Sequence, residues 1–182
     1  MDLNKLLDKQ NLCIADKPSA CISACPIHMD VKTFIEAIEK GDFKKAYKVM
    51  TKKIPFTRII GNICDHPCEN ACVRNKLGGS INIHELEKAV VKLGLSSKKR
   101  TISIPKNGKK VAVVGAGISG IIAAFDLDKK GYQVTIYEKT DKIGGRLWNF
   151  QGDQLSKETI EEELAVMNKD DIKINQESQL LF

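Results

Sequence analysis

The 182-residue sequence has no apolar run long enough to cross a bilayer. Its longest, Val111 to Val114 and Ile121 to Phe125, fall far short of the ~20 residues that a membrane helix needs. The opening MDLNKLLDKQ lacks the apolar stretch of a secretion signal, so the chain is expected to be soluble and cytoplasmic. Aromatic residues are scarce, at 5%. The formal charge of +6 reads as single lysines spread over helix faces, with one denser patch at Lys98, Lys99 and Arg100. A nucleic-acid surface would carry a basic stripe with interleaved aromatics, so nucleic-acid binding is not expected. No nucleophile stands with a paired base and no carboxylate pair is set for acid–base work, which leaves any chemistry to cofactors.

Six cysteines stand out against these absences. A reducing compartment disfavours structural disulfides, and clustered thiols there are metal ligands or redox groups. The spacings are Cys13-x7-Cys21-x3-Cys25-Pro and Cys64-x3-Cys68-x3-Cys72. Two readings are open. Cys21, Cys25, Cys64 and Cys68 could form one tetrahedral zinc site, stabilising an interaction module and leaving Cys13 and Cys72 idle. Iron–sulfur clusters also take thiolates, often in runs whose last cysteine precedes a proline and serves a different cluster, a habit that CISACP fits. Six cysteines cannot supply the eight ligands of two cubane clusters, so two ligands would be of another kind or one cluster incomplete. Such clusters carry negative charge, which part of the basic excess could balance.

The chain changes grammar part-way. Residues 1–95 read as helices and loops. Asp30 caps a helix with apolar positions Val31, Phe34, Ile35 and Ile38, ended by Gly41. Asp42 caps the next, with Phe43, Ala46, Tyr47 and Met50 as its stripe until Pro55 stops it. A third helix, Ile83 to Leu93, is stopped by Gly94. Its apolar face holds Ile83, Leu86, Val90 and Val91, and Glu87 falls among them. A carboxylate there is costly unless paired, hydrogen-bonded or metal-bound, although it could also be a salt-bridged residue at the stripe's edge.

Residues 96–109 read as a linker, and from 110 to 182 strand and helix alternate as in a βαβ unit. Lys110 to Val114 is a strand, GAGISG spans residues 115–120, a helix runs to about Lys130, and Gln133 to Glu138 is a second strand. Gly115 permits the tight turn, Gly117 lets the backbone approach a pyrophosphate, and Gly120 lets the helix pack on the strand. The helix N-terminus receives phosphate charge, and Glu138 is placed to accept from a ribose hydroxyl pair. A further helix, Lys157 to Met167, and a short strand, Asp171 to Ile174, follow.

NAD and FAD share this fingerprint. The continuation EKTDKIGGRL resembles that of FAD domains in flavoproteins with two dinucleotide folds, with Gly144, Gly145 and Arg146 beside the cofactor. The segments CISACPIHMDVKTFIEAIEKGDFKKAY, GNICDHPCENAC, INIHELEKAV and VAVVGAGISG resemble, in order and spacing, the N-terminal half of the glutamate synthase small subunit family. That family includes the N-terminal region of dihydropyrimidine dehydrogenase and the large subunit of the bifurcating NADH-dependent ferredoxin:NADP oxidoreductase. The resemblance implies an α + α/β chain: a helical domain with two [4Fe-4S] clusters, then a partial, truncated Rossmann-like FAD domain.

By the same resemblance one cluster takes Cys13, Cys21 and Cys72, and the other takes Cys25, Cys64 and Cys68 with Glu87 as fourth ligand. The family's first motif begins CxxC, and Asp16 stands where its second cysteine belongs. Asp16 could bind iron through oxygen, leave a three-iron cluster or an exogenous ligand, or be a plain surface residue. His66, beside Pro67, is expected to face solvent. The function implied is electron transfer between FAD and the clusters in an NAD(P)H-dependent oxidoreductase. The pyridine nucleotide would be bound by a region this chain lacks, with a redox partner subunit, downstream domain or ferredoxin taking the electrons. The chain would then be a fragment of a longer enzyme, the favoured reading, or a short electron-transfer subunit completed by another polypeptide.

Overall fold

A computed structural model describes residues 3–5, 8, 18–54, 56–94, 105–152, 155–167 and 172–178. Cys13 and Asp16, the Lys98–Arg100 patch and most of the expected linker therefore lie outside the described residues. The chain divides into two compact units, residues 1–98 and 99–182.

The first unit is helical: α1 (Ala20–Ala24), α2 (Val31–Glu39), α3 (Phe43–Thr51), α4 (Thr57–Ile63), α5 (Pro67–Asn70), a 3₁₀ turn (Val73–Leu77) and α6 (Ile83–Gly94). Both expected caps form. Asp30 accepts from the Thr33 amide at 3.1 Å, and Asp42 from the Lys45 amide at 2.9 Å, satisfying donors that a helix start leaves free. Helices α2, α3 and α6 pack together around Val31, Phe34, Ala46, Met50, Ile83 and Val90. Within α2 the buried positions are Val31, Phe34 and Ala37, with Ile35 and Ile38 only half-buried; in α3 Val49 joins the core and Phe43 and Tyr47 sit at its edge. The small Ala37 and Ala46 lie at the helix contacts, where backbones approach most closely.

Gly94 is the last residue of α6, in keeping with the stop expected of it, and it has a second role. A Cβ there would stand 2.6 Å from the Phe43 carbonyl oxygen and 2.7 Å from the Tyr47 Cβ. Close approach of α6 to α3 requires the glycine, whatever ends the helix.

The second unit carries β1 (Lys110–Val114), α7 (Ile118–Asp128), β2 (Gln133–Tyr137), a 3₁₀ turn (Gly145–Phe150), α8 (Lys157–Met167) and β3 (Lys173–Asn175). The three strands form one parallel sheet in the order β1-β2-β3, with Val113 opposite Ile136 and Ile136 opposite Ile174. The last strand begins two residues later than expected, and Asp171 lies outside the described residues. Parallel pairing needs a crossover, and α7 supplies it between β1 and β2.

Candidate metal centres and dinucleotide cradle

Cys25 follows α1, and Cys64, Cys68 and Cys72 flank or occupy α5, so the packing of α1 on α5 joins the two cysteine segments. All five described cysteines are free thiols. Cys25, Cys64, Cys68 and Glu87 stand within electrostatic range of one another. Burial first, then the negative charge of Glu87, Cys64 and Cys25, pushes the Cys68 thiol up to about 12. Cys64 is also raised, by burial and by Glu87, Cys25 and Asp65, against the lowering hydrogen bond from the His66 amide.

Glu87 lies on the buried face of α6 at 7% exposure, not at its edge. Among the described residues nothing donates a hydrogen bond or an ion pair to its carboxylate. Burial, and then repulsion from Glu69, push its pKa up to about 7, against the lowering effect of His66. Three thiols and a buried carboxylate with no cation among them would repel one another once ionised, and a positively charged iron centre removes that cost. This donor set fits a [4Fe-4S] cluster, with oxygen as one ligand. Among the described residues no three such groups converge tightly enough for a single metal ion.

Cys21 and Cys72 lie elsewhere, lining a mostly apolar cavity of about 150 Å³ with Val31, Ile35 and Ile83. The buried Ser19 hydroxyl is 3.0 Å from the Cys21 sulfur. Cys25, four residues on from Cys21, is not among the residues that line this cavity.

His66 does not simply face solvent. It is half-buried, its amide donates to the Cys64 sulfur at 3.4 Å and its ring meets that of His84 at 4.6 Å. The His84 amide in turn donates to Glu69 at 2.7 Å. Amide donors to a ligating sulfur stabilise its thiolate and tune a cluster's potential. His28 and His66 both adopt left-handed backbone, at φ 49° and 39°, just after Cys25 and Cys64. Strain of this kind persists only where the surroundings over-determine it. Glu69 and His84 had no sequence signal, because each meets its partner across segments; Ser19 lies only two residues from Cys21.

In the second unit the three fingerprint glycines have separate reasons. Gly115 has φ +94°; a Cβ on Gly120 would stand 2.0 Å from the Gly115 carbonyl oxygen; a Cβ on Gly117 would meet nothing within 4 Å. The open side at Gly117, the N-cap of α7, is where a ligand phosphate approaches. The Gly144 amide donates to the Ala116 carbonyl at 2.7 Å, and a Cβ on Gly145 would stand 3.1 Å from Gly117. The second glycine pair therefore lies on the first, with Arg146 exposed beside it.

Glu138, at 7% exposure, accepts from the Ala116 amide at 2.7 Å and from the Thr140 amide and hydroxyl at 3.0 and 2.9 Å. Burial alone would raise its pKa; these hydrogen bonds outweigh it and hold the carboxyl below the ordinary range. It ties the glycine loop to the end of β2 and retains lone pairs for a further donor.

Residues 2–99 match the family described as dihydropyrimidine dehydrogenase domain II, 4Fe-4S cluster. The chain belongs to that family. Residues 113–160 match an NAD(P)-binding Rossmann-like domain. Helical iron–sulfur domain and Rossmann-like region thus follow one another as the resemblance implied, and a zinc module has no counterpart in the family's description. The chain is 28% identical over 150 residues to the beta subunit of an NADP(+)-dependent formate dehydrogenase of Moorella thermoacetica, covering 70% of this chain and 21% of the relative. It is 36% identical over 126 residues to the beta subunit of an NADPH-Fe(3+) oxidoreductase of Geobacter sulfurreducens, covering 68% and 19%. It is 29% identical over 153 residues to the glutamate synthase [NADPH] small chain of Bacillus subtilis, covering 82% and 31%. The chain thus spans between about a fifth and a third of the length of these relatives. Among the described residues no helix is long and apolar enough to cross a membrane.

Proposed function

We propose that this chain is the electron-transfer portion of an NAD(P)H-dependent flavin and iron–sulfur oxidoreductase. It would hold two [4Fe-4S] clusters in residues 1–95 and FAD on the glycine cradle of residues 110–182. The observation that carries this reading is the separation of Cys21 from Cys25: one shares a cavity with Cys72, the other gathers with Cys64, Cys68 and Glu87. Cys13, with Asp16 or an exogenous ligand, would complete the first set. When bound, the clusters supply one-electron transfer between the flavin and an acceptor.

The chain's own residues set the conditions for that chemistry. Glu87 offers a carboxylate with no competing cation, and the His66 amide holds the Cys64 sulfur in orientation. Gly117 leaves room for a pyrophosphate, the α7 N-terminus faces it, and Glu138 takes a ribose hydroxyl while fixing the loop. FAD is favoured over NAD because the Gly144–Gly145 turn lies on the fingerprint, as in the flavoprotein continuation that EKTDKIGGRL resembles. The names of the relatives, subunits of NADP(+)- or NADPH-dependent enzymes, extend the reading to a pyridine-nucleotide reaction shared with a partner subunit.

The test is an anaerobic preparation assayed for iron, acid-labile sulfide and zinc, with a visible spectrum before and after dithionite. Two cubane clusters give about eight irons and eight sulfides with a bleachable band; about seven irons mean a three-iron form on the Asp16 side. Zinc without sulfide overturns the reading. Flavin retention after desalting with FAD, compared with NAD in competition, tests the cradle.

A further inference from the structure

Four lysines that read in the sequence as scattered share one face of a helix. On α3, Lys44, Lys48 and Lys52 follow at four-residue intervals and Lys45 lies beside them, all exposed. They lie opposite the buried Ala46, Val49 and Met50. Among the described residues none of the four forms an ion pair. The one carboxylate in the depression they line is that of Asp42, already accepting from the Lys45 amide.

Like charges four residues apart repel, and Lys44 and Lys45 sit in the first turn, where the helix dipole favours anions. Lys48, in the last turn, and Lys52, the C-cap, suit the dipole. A stripe of one sign with no ion pair of its own points to a negatively charged partner.

We infer that the Lys44, Lys45, Lys48 and Lys52 face of α3 is the docking surface for a small acidic electron-carrier protein. This rests on the electron-transfer reading above. The position suits it: α3 packs on α2, whose Val31 and Ile35 line the Cys21 and Cys72 cavity, and on α6, which carries Glu87. The patch thus lies on the outer face of a helix whose inner face packs on the elements that carry both cysteine groups. A protein fits better than a nucleic acid, because the face offers compact ammonium charges with no forked arginine and no exposed aromatic. It fits better than a membrane, because no large apolar residue is exposed among the lysines to insert. Flexible, hydrated lysines give fast, salt-sensitive association.

The test uses the full chain, loaded with iron and sulfide and reduced with dithionite, mixed in stopped flow with oxidised acidic ferredoxin. One electron leaves the reduced chain and reduces the ferredoxin centre, with no bond made or broken. At low ionic strength the triple variant K44E/K48E/K52E should transfer at least about tenfold more slowly and lose the salt dependence of the parent. A control with the same change in net charge at exposed sites elsewhere, K76E/K92E/K139E, should stay within about twofold. Reduction of a neutral quinone should be equal in all three, and both triples should keep the parent's far-UV circular dichroism, which shows that the helices are intact. Equal slowing by both triples overturns the docking face. Failure of every chain to reduce the quinone overturns the electron-transfer reading instead; binding of labelled ferredoxin to the same variants then judges the face separately. Binding of duplex DNA or phosphatidylserine vesicles that exceeds ferredoxin binding and is lost in K44E/K48E/K52E overturns the choice of partner.

Discussion

Glu87→Gln removes the charge from α6 while keeping the side chain's size, and the structure sets the size of the effect. In the metal-free chain the Glu87 carboxyl lies at about 7 against an ordinary 4.5, chiefly because it is buried. At about 1.36 kcal/mol per pH unit, that separation corresponds to roughly 3 kcal/mol. A raised carboxyl means that the folded chain binds more protons than the unfolded one between pH 4.5 and 7. Stability therefore falls as pH rises through that window and levels off above it. The glutamine cannot titrate, so the gap between parent and variant should move in the variant's favour by about 3 kcal/mol from pH 4.5 to pH 8. With a urea slope of about 1–3 kcal/mol per M, the difference in midpoints changes by about 1–3 M.

Far-UV circular dichroism is the readout for that experiment, since the one tryptophan, Trp148, reports the second unit only. With iron and sulfide bound the order should reverse, because the parent then gains a ligand where it had a buried unpaired charge, and the variant loses iron from that set. Equal pH dependence of parent and variant in the metal-free state would refute the claim that Glu87 is a buried anion awaiting a cation.

Cys21→Ser and Cys25→Ser should each remove about four irons while leaving the other cluster's band, and loss of both clusters in either variant would contradict the separate groups. Gly117→Ala, with open space around it, should leave the melting temperature within about a degree and weaken dinucleotide binding at least tenfold by calorimetry. Gly120→Ala, facing a carbonyl at 2.0 Å, should destabilise the second unit by about 1–3 kcal/mol or more, seen in Trp148 fluorescence. Gly94→Ala should do the same to the helical unit, by about 1–3 kcal/mol, read by circular dichroism. Glu138 has a lowered pKa, so its stabilisation is complete above the ordinary carboxylate value and disappears as pH falls through the folded one. Glu138→Gln should flatten that acid limb in the Trp148 signal.

Local chemistry was legible in the sequence because it is written in neighbours. Asp30 and Asp42 cap helices whose amides lie three residues on, and the GAGISG turn needs its glycines for contacts within six residues. The burial of Glu87 followed from its place in a helical period. What sequence spacing could not decide was which cysteines meet. Cys21 and Cys25 are four residues apart, yet α1 ends between them, and Cys21 lines a cavity with Cys72 while the charge of Cys25 acts on Cys64 and Cys68. The same holds for Gly94, which reads as a helix stop and is also a contact with α3, and for the lysines of α3, which form one face only once the opposite face is known to be buried. Caps and turns are set by contacts a few residues apart, whereas cluster ligands, close helix crossings and charged faces depend on where packing brings distant segments, and only the tertiary structure decides that.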